Sequence, residues 1–276
     1  MRDTSLAFLT LLLMACAPEQ DAESTERPAE AGAQQAAIDR LEAVLASDLR
    51  SEADKSRDQY RHPKETLEFF GVERDDLVVE IWPGGGWYTD ILAPYLAQEG
   101  SLALVAADNR LKTVRDKAAA NPDAYASVIF APMETPGEDT TIPNGSADVV
   151  LTFRNVHNWE MGEKPYGDDM FAAMYDLLQP GGILGVVEHR LPEDRPDADM
   201  KTSGYMKESR VIALAEAAGF ELVARSEINA NPLDTADHPS GVWTLPPRLR
   251  LEDQDRAKYV AIGESDRMTL KFRKPE

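Results

Sequence analysis

The chain has 276 residues, 43% of them hydrophobic, which is material for one large globular domain or two small ones. A formal net charge of −20 argues against DNA or RNA as a partner, because a polyanion would be repelled. The single cysteine, Cys16, leaves no pair for a disulfide.

Behind Arg2 lies the apolar run LAFLTLLLMAC, which ends at Cys16. It is too short to span a bilayer as a helix and suits the apolar region of a secretory signal, although Asp3 offsets Arg2. Leu13-Met14-Ala15-Cys16 resembles the lipobox of bacterial lipoproteins. That resemblance implies a signal over 1–16 and lipidation of Cys16. It also implies export to the periplasm, with the lipid on the outer membrane as the only membrane contact. Residues 17–35, rich in Ala, Glu and Pro, read as a flexible tether. A helical extension over 36–71 follows, with Ile38, Leu41, Val44 and Leu45 on one stripe. Within it Ser51 is placed to cap a helix, Pro63 to start another and Gly71 to stop it.

From residue 72 to the end the pattern alternates strand and helix in one domain. Strands are predicted at 77–81, 101–107, 127–131, 147–153, 183–188, 220–228 and 267–273. Helices are predicted at 87–97, 111–120, 168–178 and 206–217. Pro94 predicts a kink or a late start in the first of these. Apolar runs such as DVVLTF and ILGVVE suit strands buried on both faces of a mostly parallel sheet.

The stretch EIWPGGGWYT, Glu80 to Thr89, sits where an open parallel sheet binds ligands, beyond the carboxyl end of its first strand. Trp82 and Trp87 stand where a dinucleotide fingerprint needs glycines, and neither a P-loop nor a G-x-S-x-G elbow occurs. The spacing acid-x-G-x-G-x-G is met by Glu80, Gly84 and Gly86, with Trp82 alone departing. Before Pro83, Trp82 is expected to be extended, so that the strand runs on to Pro83. With Asp108 at the end of the second strand, and with TFRNVHNW, LLQPGGILGVVEHR and EAAGFELVARS in order, the chain resembles class I S-adenosylmethionine-dependent methyltransferases. Within them it is similar to a subgroup of exported, predicted methyltransferases. The resemblance implies a single Rossmann-like domain with helices on both faces. Its sheet would be mostly parallel and seven-stranded with an antiparallel last strand, behind an N-terminal helical lid.

It also implies S-adenosylmethionine as cofactor and a small or medium-sized molecule as methyl acceptor. Glu80, Gly84, Gly85, Gly86 and Asp108 would bind the cofactor, with Met133 or Glu134 at the adenine and Asn155 beside them. The loop after the fourth strand supplies candidate catalytic groups. His157 is a candidate general base, Arg154 a bidentate anion binder and Asn158 a hydrogen-bonding partner. Trp159 reads as packing, and His238 as exposed. Two other readings use the same residues: a non-catalytic periplasmic protein binding a small ligand on this scaffold, and a metal-dependent enzyme using His62, His157 and His189, with Glu188 beside them. No short metal-ligand spacing occurs, so no metal site is assigned from sequence.

Overall fold

The structure is a computed structural model that describes Met1 and residues 28–276; the signal-like run, Cys16 and most of the tether lie outside the described residues. The chain opens with four helices, α1 (Pro28–Ala46), α2 (Glu52–Lys55), α3 (Asp58–Arg61) and α4 (Pro63–Phe70). There follow β1 (Leu77–Ile81), α5 (Thr89–Leu96), β2 (Ser101–Ala106), α6 (Asp108–Ala120), β3 (Val128–Pro132) and β4 (Ala147–Phe153). Then come α7 (Val156–Glu160), α8 (Gly167–Leu177), β5 (Leu178–Leu191), β6 (Met206–Lys207) and α9 (Glu208–Ala218). The chain ends with β7 (Glu221–Ser226), α10 (Arg256–Ile262) and β8 (Arg267–Arg273).

The main sheet has the order β3-β2-β1-β4-β5-β8-β7, and β6 adds to β5. All its pairings are parallel except those of β8, which runs antiparallel to β5 and β7. The strand alternation predicted from sequence divides the core into two layers. Val79 and Ile81 of β1 face Trp159, Phe171 and Met174, whereas Val78 faces Phe70, Ile91 and Leu104. Chain order reverses at β1, with β2 on one side and β4 on the other, so a crevice opens beyond the carboxyl ends of β1 and β4.

The N-terminal helices are part of this packing. In α4, Phe70 fills the hole left by Gly185 of β5, where a Cβ would come within 2.8 Å of the ring. Ser51 caps α2 by accepting the Asp54 amide, and Gly71 ends α4 with φ 77, both as predicted. α1 begins at Pro28, so residues 28–35 are helical where a tether was expected. Pro94 lies inside α5, which begins at Thr89, ahead of it rather than at it, and the carbonyls of Pro94 and Tyr95 accept hydrogen bonds from Arg40 of α1. Met206 and Lys207 form a short strand instead of the first turn of a helix, because Met206 and Lys207 pair with Arg190 and Leu191.

Candidate active site

Ile81 pairs with Thr152, so the exits of β1 and β4 lie side by side. The Trp82 amide still donates to the Val105 carbonyl at 2.8 Å, but Trp82 then takes φ 54 and the chain reverses there. The expected extended Trp82 is therefore corrected. The left-handed region costs a non-glycine residue about 1–2 kcal/mol. Packing of the indole offsets it: Trp159 meets it edge-on with ring centroids 5.9 Å apart, and the Arg110 guanidinium lies 4.1 Å over it.

The three glycines have different tasks. Gly86 has φ 82, and a Cβ there would lie 2.8 Å from Val114 Cγ1, so its bareness lets the turn pack on α6. At Gly84 and Gly85 a Cβ would meet nothing within 4 Å, and both line a cavity of about 420 Å³. Glu80 is buried beneath this turn and accepts the Thr89 hydroxyl hydrogen at 2.7 Å, fixing the start of α5. Burial pushes its carboxyl up to about 7; Asp90 adds to that, while the Thr89 hydrogen bond and Lys117 oppose it.

The opposite wall comes from the β4 exit, where Phe153, Arg154, Asn155, His157 and Asn158 all line the cavity. Arg154 has φ 62 and its amide is tied to the Val187 carbonyl at 2.7 Å. Burial, then Arg267, brings its guanidinium down to about 10. The Asn155 side-chain amide donates to the carbonyls of Ile81 and Trp82 and to Thr152 Oγ1, at 3.0, 3.2 and 3.1 Å. It clamps the strand exit to the glycine turn. Where sequence gave an irregular polar loop, residues 156–160 form α7. Trp159 is fully buried in the core, as expected for packing.

His157 and His189 meet at this wall, with ring centroids 5.2 Å apart. Glu188 Oε1 accepts the His157 Nδ1 hydrogen at 2.9 Å, and Oε2 accepts the His157 amide at 3.1 Å. An acceptor-only carboxylate on Nδ1 leaves Nε2 of His157 with a free lone pair, as a general base requires. His189 is hydrogen-bonded through Nδ1 to Ser265 Oγ. Burial, then the nearby His157 and Arg267, holds it well below the usual histidine range and therefore neutral.

His62 does not join them: it caps α3 with φ 36, outside the cavity lining. Of the histidines in the alternative metal-dependent reading, His157 and His189 therefore group with Glu188 and without His62, their candidate ligand atoms lying within 4.8 Å of one another. That set is a poor cation site. The Glu188 oxygens already accept three N–H groups, and the cavity beside them is lined by arginines. His238 is also corrected: its side chain is buried and bonded through Nε2 to Asp234 at 2.7 Å.

Met133 and Glu134, expected at the adenine, line a second cavity of about 200 Å³ together with Ala107, Arg110, Tyr166 and Met170 among others, whereas Asp108 is not part of its lining. Trp82 lines both cavities and is the partition between them. Asp108 begins α6 and is exposed, its carboxylate paired with Arg115 at 2.8 Å. Its amide receives a cap from Glu134 Oε1 at 3.0 Å, so Glu134 is tied to the helix start. Sequence reasoning missed the rest of the main cavity. Arg57 and Arg61 come from the N-terminal helices, Trp243 and Arg248 from the long β7–β8 connection, and Arg267 from β8. The pair of arginines in RDQYRHP was the one available signal.

No protein-family model matches the chain, and no curated protein matches it. Among solved structures it is similar to an S-adenosylmethionine-dependent methyltransferase from Aquifex aeolicus, at 13% identity and TM-score 0.54, over 86% of this chain and 98% of that one. It is similar to an arsenic(III) S-adenosylmethionine methyltransferase from Chlamydomonas reinhardtii, at 16% identity and TM-score 0.52, over 86% and 73% of the two chains. A third similar structure is the cyclase SpnF, at 16% identity and TM-score 0.56, over 88% and 95%. At such identities the likeness is one of fold. The chain has the class I methyltransferase fold, and the cyclase among its neighbours is a reminder that this fold carries more than one chemistry.

Proposed function

We propose that the protein is an S-adenosylmethionine-dependent methyltransferase acting on a small molecule. One observation carries the reading: the bare backbone of Gly84 and Gly85 lines one cavity with His157, which Glu188 holds from the buried side, at the reversal point of the sheet. The residues present fit the cofactor's methionine end at the glycine turn and its adenine end at the second cavity, with Trp82 as the element that must yield between them. Bound there, S-adenosylmethionine supplies an electrophilic methyl carbon on a sulfonium. The chain's own contribution is positioning and proton removal. Gly84 and Gly85 allow close backbone approach, and Asn155 and Glu80 hold that turn from below. His157 Nε2 takes the proton from the acceptor's attacking atom while Glu188 keeps the ring in the required tautomer. Calorimetric titration of the full chain with S-adenosylmethionine and S-adenosylhomocysteine checks this. Binding in the micromolar range is expected, and no heat from either at about 1 mM overturns it.

The lipobox-like Leu13–Cys16 segment supports a lipid-anchored periplasmic location. On that reading Cys16→Ser moves the protein from the membrane fraction to the soluble one, and unchanged partitioning refutes it.

A further inference from the structure

The main cavity is cationic in a chain of net charge −20. Glu264 is the shared counter-ion of three guanidiniums, accepting from Arg57 Nε at 2.6 Å, from Arg61 Nε at 2.9 Å and from Arg267. One carboxylate cannot balance three cations. Burial works against its ionisation, but Arg267, Arg61 and Arg57 outweigh that and hold it far below the usual carboxylate range. Arg61 Nη2 and Arg267 Nε are buried without a hydrogen-bond partner among the described residues. Arg154, at the β4 exit, and Arg248, at the rim, have no ion pair among the described residues, although both line the same cavity. Of the lining residues only Asp54 is acidic.

Uncompensated guanidiniums in a partly desolvated wall are destabilising unless an anion completes them. Arg154 also keeps a left-handed backbone that β-branched or ordinary side chains avoid, a strain of the kind that gathers at binding sites. We infer that the cavity holds an oxyanion group of the methyl acceptor, a carboxylate or a phosphate, gripped by Arg154 and Arg61 beside His157. As a statement about the acceptor this rests on the methyl-transfer reading; as a statement about an anion site it does not. Guanidinium forks suit both groups bidentately. The cavity volume of about 420 Å³ suits an anionic group on a small molecule. The overall negative charge repels such ligands at long range, so selection depends on the local field inside the cavity.

The test is calorimetry on the full chain with inorganic phosphate and with malonate, each with and without saturating S-adenosylhomocysteine. Binding of at least one probe tighter than about 1 mM is expected in both conditions, and which one binds distinguishes phosphate from carboxylate acceptors. Arg154→Gln should weaken it at least about tenfold, and Arg248→Gln, on the exposed rim, by about threefold with an unchanged melting temperature. No binding of either probe at about 10 mM overturns the site. Loss of probe binding when S-adenosylhomocysteine is present also overturns it, because the arginines then hold the cofactor's own carboxylate. Probe binding without any S-adenosylhomocysteine binding supports the anion site while removing the methyl-transfer reading.

Discussion

Glu80 shows how one residue can serve the site from behind it. Its side chain is buried and bonded to Thr89, and burial raises its carboxyl from 4.5 to about 7. The folded state therefore holds this proton more tightly than the unfolded state does. The stability it contributes is fully present below about pH 4.5 and is lost as the pH rises through about 7. Glu80→Gln lacks this proton linkage, so the variant gains stability relative to wild type between about pH 5 and pH 8. Denaturant unfolding at the two pH values measures it, and a difference independent of pH would rule out a proton held on Glu80. The acid and its spacing to the glycines were legible in the sequence. Its bond to Thr89 was not, because whether a carboxylate meets a ligand or a hydroxyl depends on where α5 starts.

Among the elements, the turn between β1 and α5 combines a packing role and a binding role in adjacent glycines. Gly86→Ala forces a methyl against Val114 at a positive φ and should destabilise the fold by about 1–3 kcal/mol. Gly85→Ala meets no atom within 4 Å, so its melting temperature should hold while S-adenosylhomocysteine binding weakens. Thermal unfolding and calorimetry separate the two, and equal losses of stability would contradict the division. The sequence identified the turn through its three glycines but treated them alike, since only their neighbours distinguish them. It also placed Trp82 in the strand, following the usual effect of a succeeding proline. The indole's packing between Trp159 and Arg110, made by residues far along the chain, overrode that local preference.

At the scale of the molecule, Glu264 joins the N-terminal helices to the β7–β8 connection and to β8 through Arg57, Arg61 and Arg267. Glu264→Gln leaves the buried Arg61 and Arg267 guanidiniums without their counter-ion and should cost about 3–5 kcal/mol, read as a lowered denaturation midpoint. A change below about 0.5 kcal/mol would show that the helices dock without it. The helical extension is accordingly a wall of the cavity, through Asp54, Arg57 and Arg61. The sequence by itself determined the alternating strands and helices, the mostly parallel sheet, the glycine turn and the position of His157 after the fourth strand. Each of these is written in local periodicity, turn chemistry and spacing. Only the tertiary structure decided that Glu188 orients His157, that Trp82 lines two cavities, that His62 stands apart and that Arg57 and Arg61 share one carboxylate with Arg267 from the far end of the chain. Those relations depend on charge and contact between distant stretches of chain, 31 residues apart for His157 and Glu188 and 203 for Arg61 and Glu264, which no local pattern records.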